Sequence, residues 1–442
     1  VSGVAELTES LGAGFERGFS RLAYPTVGLE EELILVEPTS LEPVGEIDWL
    51  LGVVGSDARF KAELRAAQVE LVTPICATVG DACLALGSAR ATLSERVDGR
   101  VRLLAAGTHP ASSAPVAITR RPRYAALVLD NPWLVRCGIP SALHVHVGIA
   151  DPADALGVYN AARSYLPEIA ALAANSPFFE GRDSGLASSR LKLCEDSPRA
   201  GVPPAFASWR ELAAFVAWGA NGGLFSELGD LWWDLRPRPD LGTLEFRVAD
   251  CQTDLASAGC VAAFCQSLVA ALQARLRNGE ELSIHPTHVI AENRWRALRD
   301  GLQGELVDAD TGRVSATRER LSSLLDELDP HARTLGCSER LAHAHVLIAH
   351  GGGAERQRAI VKERGLRGLV EWLAETSEKA ADTSAAEAPR ALWPSHQARW
   401  KLLRRQHEAA PNLAGLLRSS ERAVSLASRA ETDASEGVAF GA

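Results

Sequence analysis

The stretch VGLEEELILVEP, Val27 to Pro38, decides how this chain is read. It has the apolar character of a buried strand, yet Glu30, Glu31 and Glu32 stand side by side within it. Adjacent like charges repel, and glutamate is a weak strand former. Successive side chains of a strand point to opposite faces. Glu30, Glu32 and Ile34 therefore share one face, and Leu29, Glu31, Leu33 and Leu35 the other. Either the carboxylates point at water or something holds them.

Three further stretches repeat the pattern. In AAQVELVTP, Val69 and Leu71 point one way, Gln68 and Glu70 the other. In ALHVHVGIA, Leu143, Val145, Val147 and Ile149 oppose His144, His146 and Gly148. In GTLEFRVAD, Leu244, Phe246 and Val248 face a core, while Thr243, Glu245, Arg247 and Ala249 face away. For any one strand, a polar face in water is sufficient explanation. Four in one sheet would bring Glu30, Glu32, Glu70, His144, His146 and Glu245 together with Arg247. Crowded carboxylates raise one another's pKa or drive the strands apart. Mg²⁺ or Mn²⁺ would neutralise them, since both suit carboxylate oxygens and an occasional imidazole. Glu31 is left as a bystander, near the sheet edge or beside a basic partner, and Glu31→Gln is expected to be mild.

The remaining sequence sets bounds. The 442 residues suffice for one large domain or two, and the formal net charge of −10 argues against broad contact with nucleic acid. No apolar run is read as reaching the roughly 20 residues of a membrane span. Residues 1–24 read as a polar, partly helical lead-in without a signal-peptide pattern. Eight scattered cysteines, with no C-x-x-C pair, read as reduced thiols of a cytoplasmic protein. From Val27 to about Asp250 strand signals dominate, with helix-like periodicity from Asp81 onward through GDACLALGSARATLSERVDGRVRLLAAG, and helices across ADALGVYNAARSYLPEIAALAANSP (one helix, or two broken at Pro167) and at WRELAAFVAWGAN. After Asp250 the pattern is almost wholly helical, and about 376–391 reads as a linker. The expected fold class is α+β with a largely antiparallel sheet. Neither a dinucleotide fingerprint nor a P-loop is present.

At these same residues the chain resembles a known family. GLEEEL, VELVTP, HVHVGI, ANSPFFEGRDSGLASSR, DLRPRPDLGTLEFRVAD, ENRWRALRDGL and GGGAERQR, in that order, resemble the carboxylate–amine ligases of the glutamate–cysteine ligase type 2 family. The resemblance implies a glutamine synthetase/glutamate–cysteine ligase-like fold: a curved, mainly antiparallel sheet forming an active-site funnel, with helices packed outside. It implies ATP as co-substrate, two or three Mg²⁺ ions, and acid and amine substrates, with L-glutamate and L-cysteine foremost. It assigns metal binding to Glu30, Glu32, Glu70, His144 and Glu245, and less directly to Glu63. Glu245 and Arg247 would be catalytic, Arg247 as a phosphate clamp. His146, Arg182, Ser184, Arg190, Arg236, Asn293 and Arg296 would contact nucleotide or substrate. The ligase domain would span 25–378, followed by a C-terminal extension, 379–442, partly helical and then disordered. No nucleic-acid or membrane partner is expected, and a homodimer is left open.

Two other classes stay open. A metal-dependent hydrolase could use the same Glu/His set, although no H-E-x-x-H is present. A non-catalytic relative would have lost metal ligands, whereas all are retained here. His343, His345 and His350 read as polar members of a helix. Gly351–Gly353 read as a helix break, with Arg356 and Arg358 able to reach the pocket.

Overall fold

The computed structural model describes residues 2–19, 25–135, 138–149, 151–225 and 227–379. The strands, in chain order, are β1 (Val27–Val36), β2 (Phe60–Ala62), β3 (Gln68–Val72), β4 (Arg102–Leu104), β5 (Ala142–Gly148), β6 (Phe178–Phe179), β7 (Arg182–Asp183), β8 (Leu235–Arg238), β9 (Thr243–Asp250), β10 (Glu305–Val307) and β11 (Val314–Ala316). The α-helices are α1 (Ser2–Phe19), α2 (Ile47–Val54), α3 (Val79–Arg96), α4 (Pro122–Asp130), α5 (Pro152–Ala162), α6 (Leu166–Leu172), α7 (Ser189–Glu195), α8 (Trp209–Asn221), α9 (Leu255–Arg277), α10 (Thr287–Asp300), α11 (Thr317–Thr334), α12 (Ser338–His350) and α13 (Gly353–Lys379).

The four strands read from alternation are neighbours. Among the described residues a seven-stranded sheet runs β2-β3-β1-β5-β9-β8, with β4 beside the far end of β1. All its pairings are antiparallel. In register, Glu32 lies opposite Glu70, Glu30 opposite His144, and His146 opposite Glu245. The apolar faces of these strands join one large core with α3, α5 and α9. At the other end of β1, Ile34 and Val36 pack with Leu104, Ile139, Leu369 and Leu373. That second core closes one end of the polar face, so only the Glu30 and Glu32 portion stays open.

Helix α9 is apolar on nearly every side, as a central core helix must be. Its length and composition also meet the test for a membrane span, contrary to the expectation that no run would. In its most apolar window 78% of the residues are buried within the protein, which accounts for the pattern without a bilayer.

Other expectations need adjustment. Of the two alternatives for Glu31 the basic partner holds: β1 is flanked by β3 and β5, so Glu31 is not near a sheet edge, and its carboxylate pairs with Arg90. Ala249 was placed with the polar face, but it pairs with Leu143 in the core. The β5–β9 register shifts between Leu143 and Val145, which breaks the alternation. Residues 102–104, read as helical, form β4, and a β10–β11 hairpin interrupts the helical second half. The break at Pro167 occurs: α5 ends at Ala162 and α6 restarts at Leu166 with Pro167 in its first turn. Part of the expected linker, 376–379, belongs to α13. The rest of it and the C-terminal extension beyond Lys379 lie outside the described residues.

Candidate active site

The polar face of the sheet gathers two clusters of different charge. The first is acidic. Glu30 on β1 approaches His144 Nδ1 at 3.3 Å through Oε2 and His146 Nε2 at 3.5 Å through Oε1. Glu30, Glu70 and His144 present ligand atoms that all lie within 4.8 Å of one another. Burial pushes Glu70 up to about 8, reinforced by Glu30 and Glu63. Burial likewise raises Glu32 to about 7, despite Arg190, and raises Glu63 to about 7, with Glu32 adding to it. Lys61, opposite Glu70 in register, provides an ion pair at 3.0 Å. One ammonium leaves this group of acids under-neutralised. Glu30 differs: burial raises it, but the nearby His146 and hydrogen bonds from the His144 and His146 rings outweigh burial and hold it well below the usual carboxylate range. Burial and Arg247 lower His144 to about 3, so its imidazole is neutral and able to bind a metal.

The second cluster is rich in arginine. Glu245 on β9 is fully buried and accepts from Arg236 Nε and Nη2 at 2.8 and 2.9 Å. It also accepts from Arg238 at 3.3 Å and Arg247 at 2.5 Å. Burial works against its charge, but the arginines outweigh burial and keep it ionised. Glu245 also lies within ligand reach of Glu30 and His146. With four hydrogen bonds on its two oxygens, its first role in this geometry is to hold the guanidiniums. Arg236 spends its remaining donors on the Gly229 and Leu231 carbonyls. Arg247 is the freer of the pair, partly exposed and 3.4 Å from His144 Nδ1. The His146 Nδ1 contacts Thr243 Oγ1 at 3.1 Å, and its buried Nε2 has no hydrogen bond.

The two clusters meet at Arg190 in the first turn of α7. Its guanidinium donates to the Arg247 and Val248 carbonyls, and it is the foremost positive influence on Glu32. It is set there by Asp250, whose carboxylate accepts from Asn175 N, Ser176 Oγ and Ser188 Oγ at 2.7–2.8 Å. Gly107 permits this approach, since a Cβ there would come within 2.6 Å of Asp250.

The structure does not bring every expected residue here. Asn293 is committed to backbone: its amide donates to Val307 O at 2.7 Å and accepts from Val307 N at 2.8 Å. With one donor and one acceptor so engaged, it pins β10 to α10. Ser184 Oγ is held by Pro177 O and by its own turn. Arg182 is exposed in the β6–β7 hairpin. Arg296 lines a separate groove with Arg299, Asp300 and Arg358. The neighbouring Arg294 is the buried one, paired with Asp234 and Glu195. Arg356 binds Asp254, and Arg358 binds Asp183. His343, His345 and His350 belong to α12, as expected. Two cluster residues, Lys61 and Arg238, were not anticipated. Each has a signal: Lys61 precedes Glu63 by two residues, and Arg238 follows Arg236 by two.

A model of the glutamate–cysteine ligase family 2 matches residues 26–387. The chain belongs to that family. As a member of glutamate–cysteine ligase family 2 it is an ATP-dependent enzyme that forms carbon–nitrogen bonds. Its relatives include a protein of Rubrobacter xylanophilus named "Putative glutamate--cysteine ligase 2-3", 38% identical over 80% of this chain and 97% of its own length. Another, from Frankia alni, is named "Putative glutamate--cysteine ligase 2-1" and is 36% identical over 78% of this chain and 92% of its own. Solved structures share the fold at low identity. The glutamate–cysteine ligase of Francisella tularensis, solved with AMP, has a TM-score of 0.58 at 12% identity, covering 87% of this chain and 93% of its own. The bifunctional glutathione synthetase of Pasteurella multocida has a TM-score of 0.59 at 15% identity, covering 84% of this chain and 54% of its own.

Proposed function

We propose that this family member joins the γ-carboxylate of L-glutamate to the amine of L-cysteine, using ATP. The acid's carboxylate attacks the γ-phosphorus, giving an acyl phosphate and ADP. The amine then attacks the acyl carbon, and phosphate leaves. Such chemistry asks the protein for positioning and charge neutralisation and needs no covalent nucleophile.

The observation that carries the reading is the division of the polar face. An acidic half holds Glu32, Glu63 and Glu70, where among the described residues Lys61 is the one Lys or Arg ion-paired with them, and an arginine half surrounds Glu245. The acidic half fits a divalent cation. Glu30, Glu70 and neutral His144 would hold one ion, with Glu32 and Glu63 beside it. Glu30, His146 and Glu245 form a second set, less open because arginines occupy Glu245. A bound Mg²⁺ would draw charge from phosphate oxygens and orient them. Arg247, partly exposed, is suited to clamp a phosphoryl group, and Arg190 to fix the opposite wall. Arg236 would act through Glu245 rather than by touching substrate.

The glutamate and cysteine choice rests on the names its relatives carry. The pure protein, incubated with Mg-ATP and a panel of amino acids and amines, should release ADP only with an acid present, and product mass should identify the pair. Equal turnover with an amine other than cysteine would reassign the acceptor. Absence of acid-dependent ADP release with every pair would remove the ligase reading.

A further inference from the structure

A groove of about 700 Å³ has a lining that includes Asp183, Arg296, Arg299, Asp300, Glu305 and Arg358. No hydrogen bond or ion pair described above joins these side chains to the Glu/His cluster. Three guanidiniums and three carboxylates balance, so neither a polyanion nor a bare cation is matched. Two pairs are internally satisfied: Arg358 with Asp183 at 2.8 and 2.9 Å, and Arg299 with Asp300 at 2.6 and 2.9 Å. One donor and one acceptor are left over. Arg296 Nε is buried without a hydrogen bond, its nearest acid, Glu292, being 3.7 Å away. Among the described residues the Glu305 side chain has no hydrogen bond or ion pair, and it is exposed. The Arg296 side chain as a whole is 31% exposed and lines the groove with exposed Arg299, so the two guanidiniums can present charged donors to a bound carboxylate. A volume of this order suits a small molecule.

We propose that this groove is a second binding site, separate from the funnel, for a small zwitterion: an α-amino acid or short peptide. Its carboxylate would lie against Arg296 and Arg299, and its ammonium against Glu305. The site is built by α10 and the start of β10, which Asn293 locks together. Its third wall is the Asp183–Leu186 loop, braced by Arg358 through Asp183 and the Leu186 carbonyl at 2.8 Å. That loop runs directly into α7, which carries Arg190, so the groove and funnel share one segment.

The test is calorimetric titration of the full chain, without nucleotide, by L-glutamate, L-glutamine, L-cysteine and L-alanine in turn. Binding of at least one should persist in Arg247→Gln, altered only in the funnel. It should weaken about tenfold or more in both Arg299→Gln and Glu305→Gln, the loss of one charge-assisted hydrogen bond. Both groove positions are solvent-exposed, so these variants should fold, and their ADP release at saturating substrates should match wild type. Isotherms unchanged by both groove substitutions would overturn the proposal. Loss with Arg299→Gln but not Glu305→Gln would overturn the zwitterion class, and collapse of basal turnover in either would overturn separateness. The binding readouts use no ATP, so they stand or fall apart from the ligase reading, on which only the turnover comparison rests.

Discussion

The three adjacent glutamates have three different environments. Glu30 faces His144 and His146, while Glu32 accepts from Ala142 N at 2.7 Å and shares its wall with Glu70. Glu31 is not a bystander. Its oxygens accept from Arg90 Nε at 2.7 Å and Nη2 at 2.5 Å, with both side chains fully buried. Arg90 also donates to the Gln252 and Thr253 carbonyls, tying β1, α3 and the end of β9 together. Removing one partner of a buried pair strands the other charge, at about 3–5 kcal/mol. Glu31→Gln should therefore lower the unfolding midpoint sharply, whatever its milder effect on activity. The double variant Glu31→Leu/Arg90→Met should recover part of the loss in a denaturant melt. Equal stability of Glu31→Gln and wild type would refute the pairing. Glu30→Gln should behave in the opposite way, folding normally while losing ADP release. Glu245→Gln should lose both stability and activity, because three arginines would then face one another without their shared anion.

At the scale of elements, alternation was enough to find β1, β3, β5 and β9 and to place their acids and histidines on one face. It failed where the backbone left the period. The irregularity opposite Leu143 moved Ala249 into the core, and a two-residue rule has no term for an inserted residue. In short strands such as β2 and β8 the period shows over a single pair of residues, Lys61 with Glu63 and Arg236 with Arg238, too little on its own to mark a strand face. Asn293 and Arg296 came from the family resemblance, which does not reveal whether a polar side chain faces substrate or backbone. Nor did the lead-in pattern show what α1 supports. Phe19 stacks on Trp209 at 5.1 Å, and a Cβ on Gly18 would lie 2.2 Å from the Pro239 carbonyl. Pro239 sits between Arg238 and Asp240 in the turn joining β8 to β9. Gly18→Val should push that turn away and loosen Arg236 and Arg238 from Glu245. The expected result is weaker substrate binding, seen as a raised KM with a smaller change in kcat. A variant with wild-type KM and stability would separate α1 from the site.

For the whole molecule, the uneven charge of the funnel sets a pH dependence. Glu32 and Glu63 at about 7 and Glu70 at about 8 bind protons in the folded state that the unfolded chain, with ordinary carboxylates, has already released. Folded protein then holds more protons than unfolded protein, so stability falls as pH rises through that interval. His144 acts oppositely: its folded value of about 3 lies below the usual 6.5, so its contribution is lost as pH falls below about 6.5. Glu30 and Glu245, held low, likewise lose their contribution only in acid. Between about 6.5 and about 8 the opposing contribution of His144 fades, and the three raised carboxylates govern the slope. In EDTA the thermal midpoint should decline across this range. A divalent cation binds the ionised carboxylates and the neutral imidazole, so added Mg²⁺ should stabilise more at pH 8 than at pH 6.5 and flatten or reverse the decline. Glu70→Gln removes the most strongly raised group and should weaken both the slope and the Mg²⁺ response. A midpoint that rises with pH in EDTA, or a Mg²⁺ effect equal at both ends of the range, would mean that the funnel does not store uncompensated acid for a metal to neutralise.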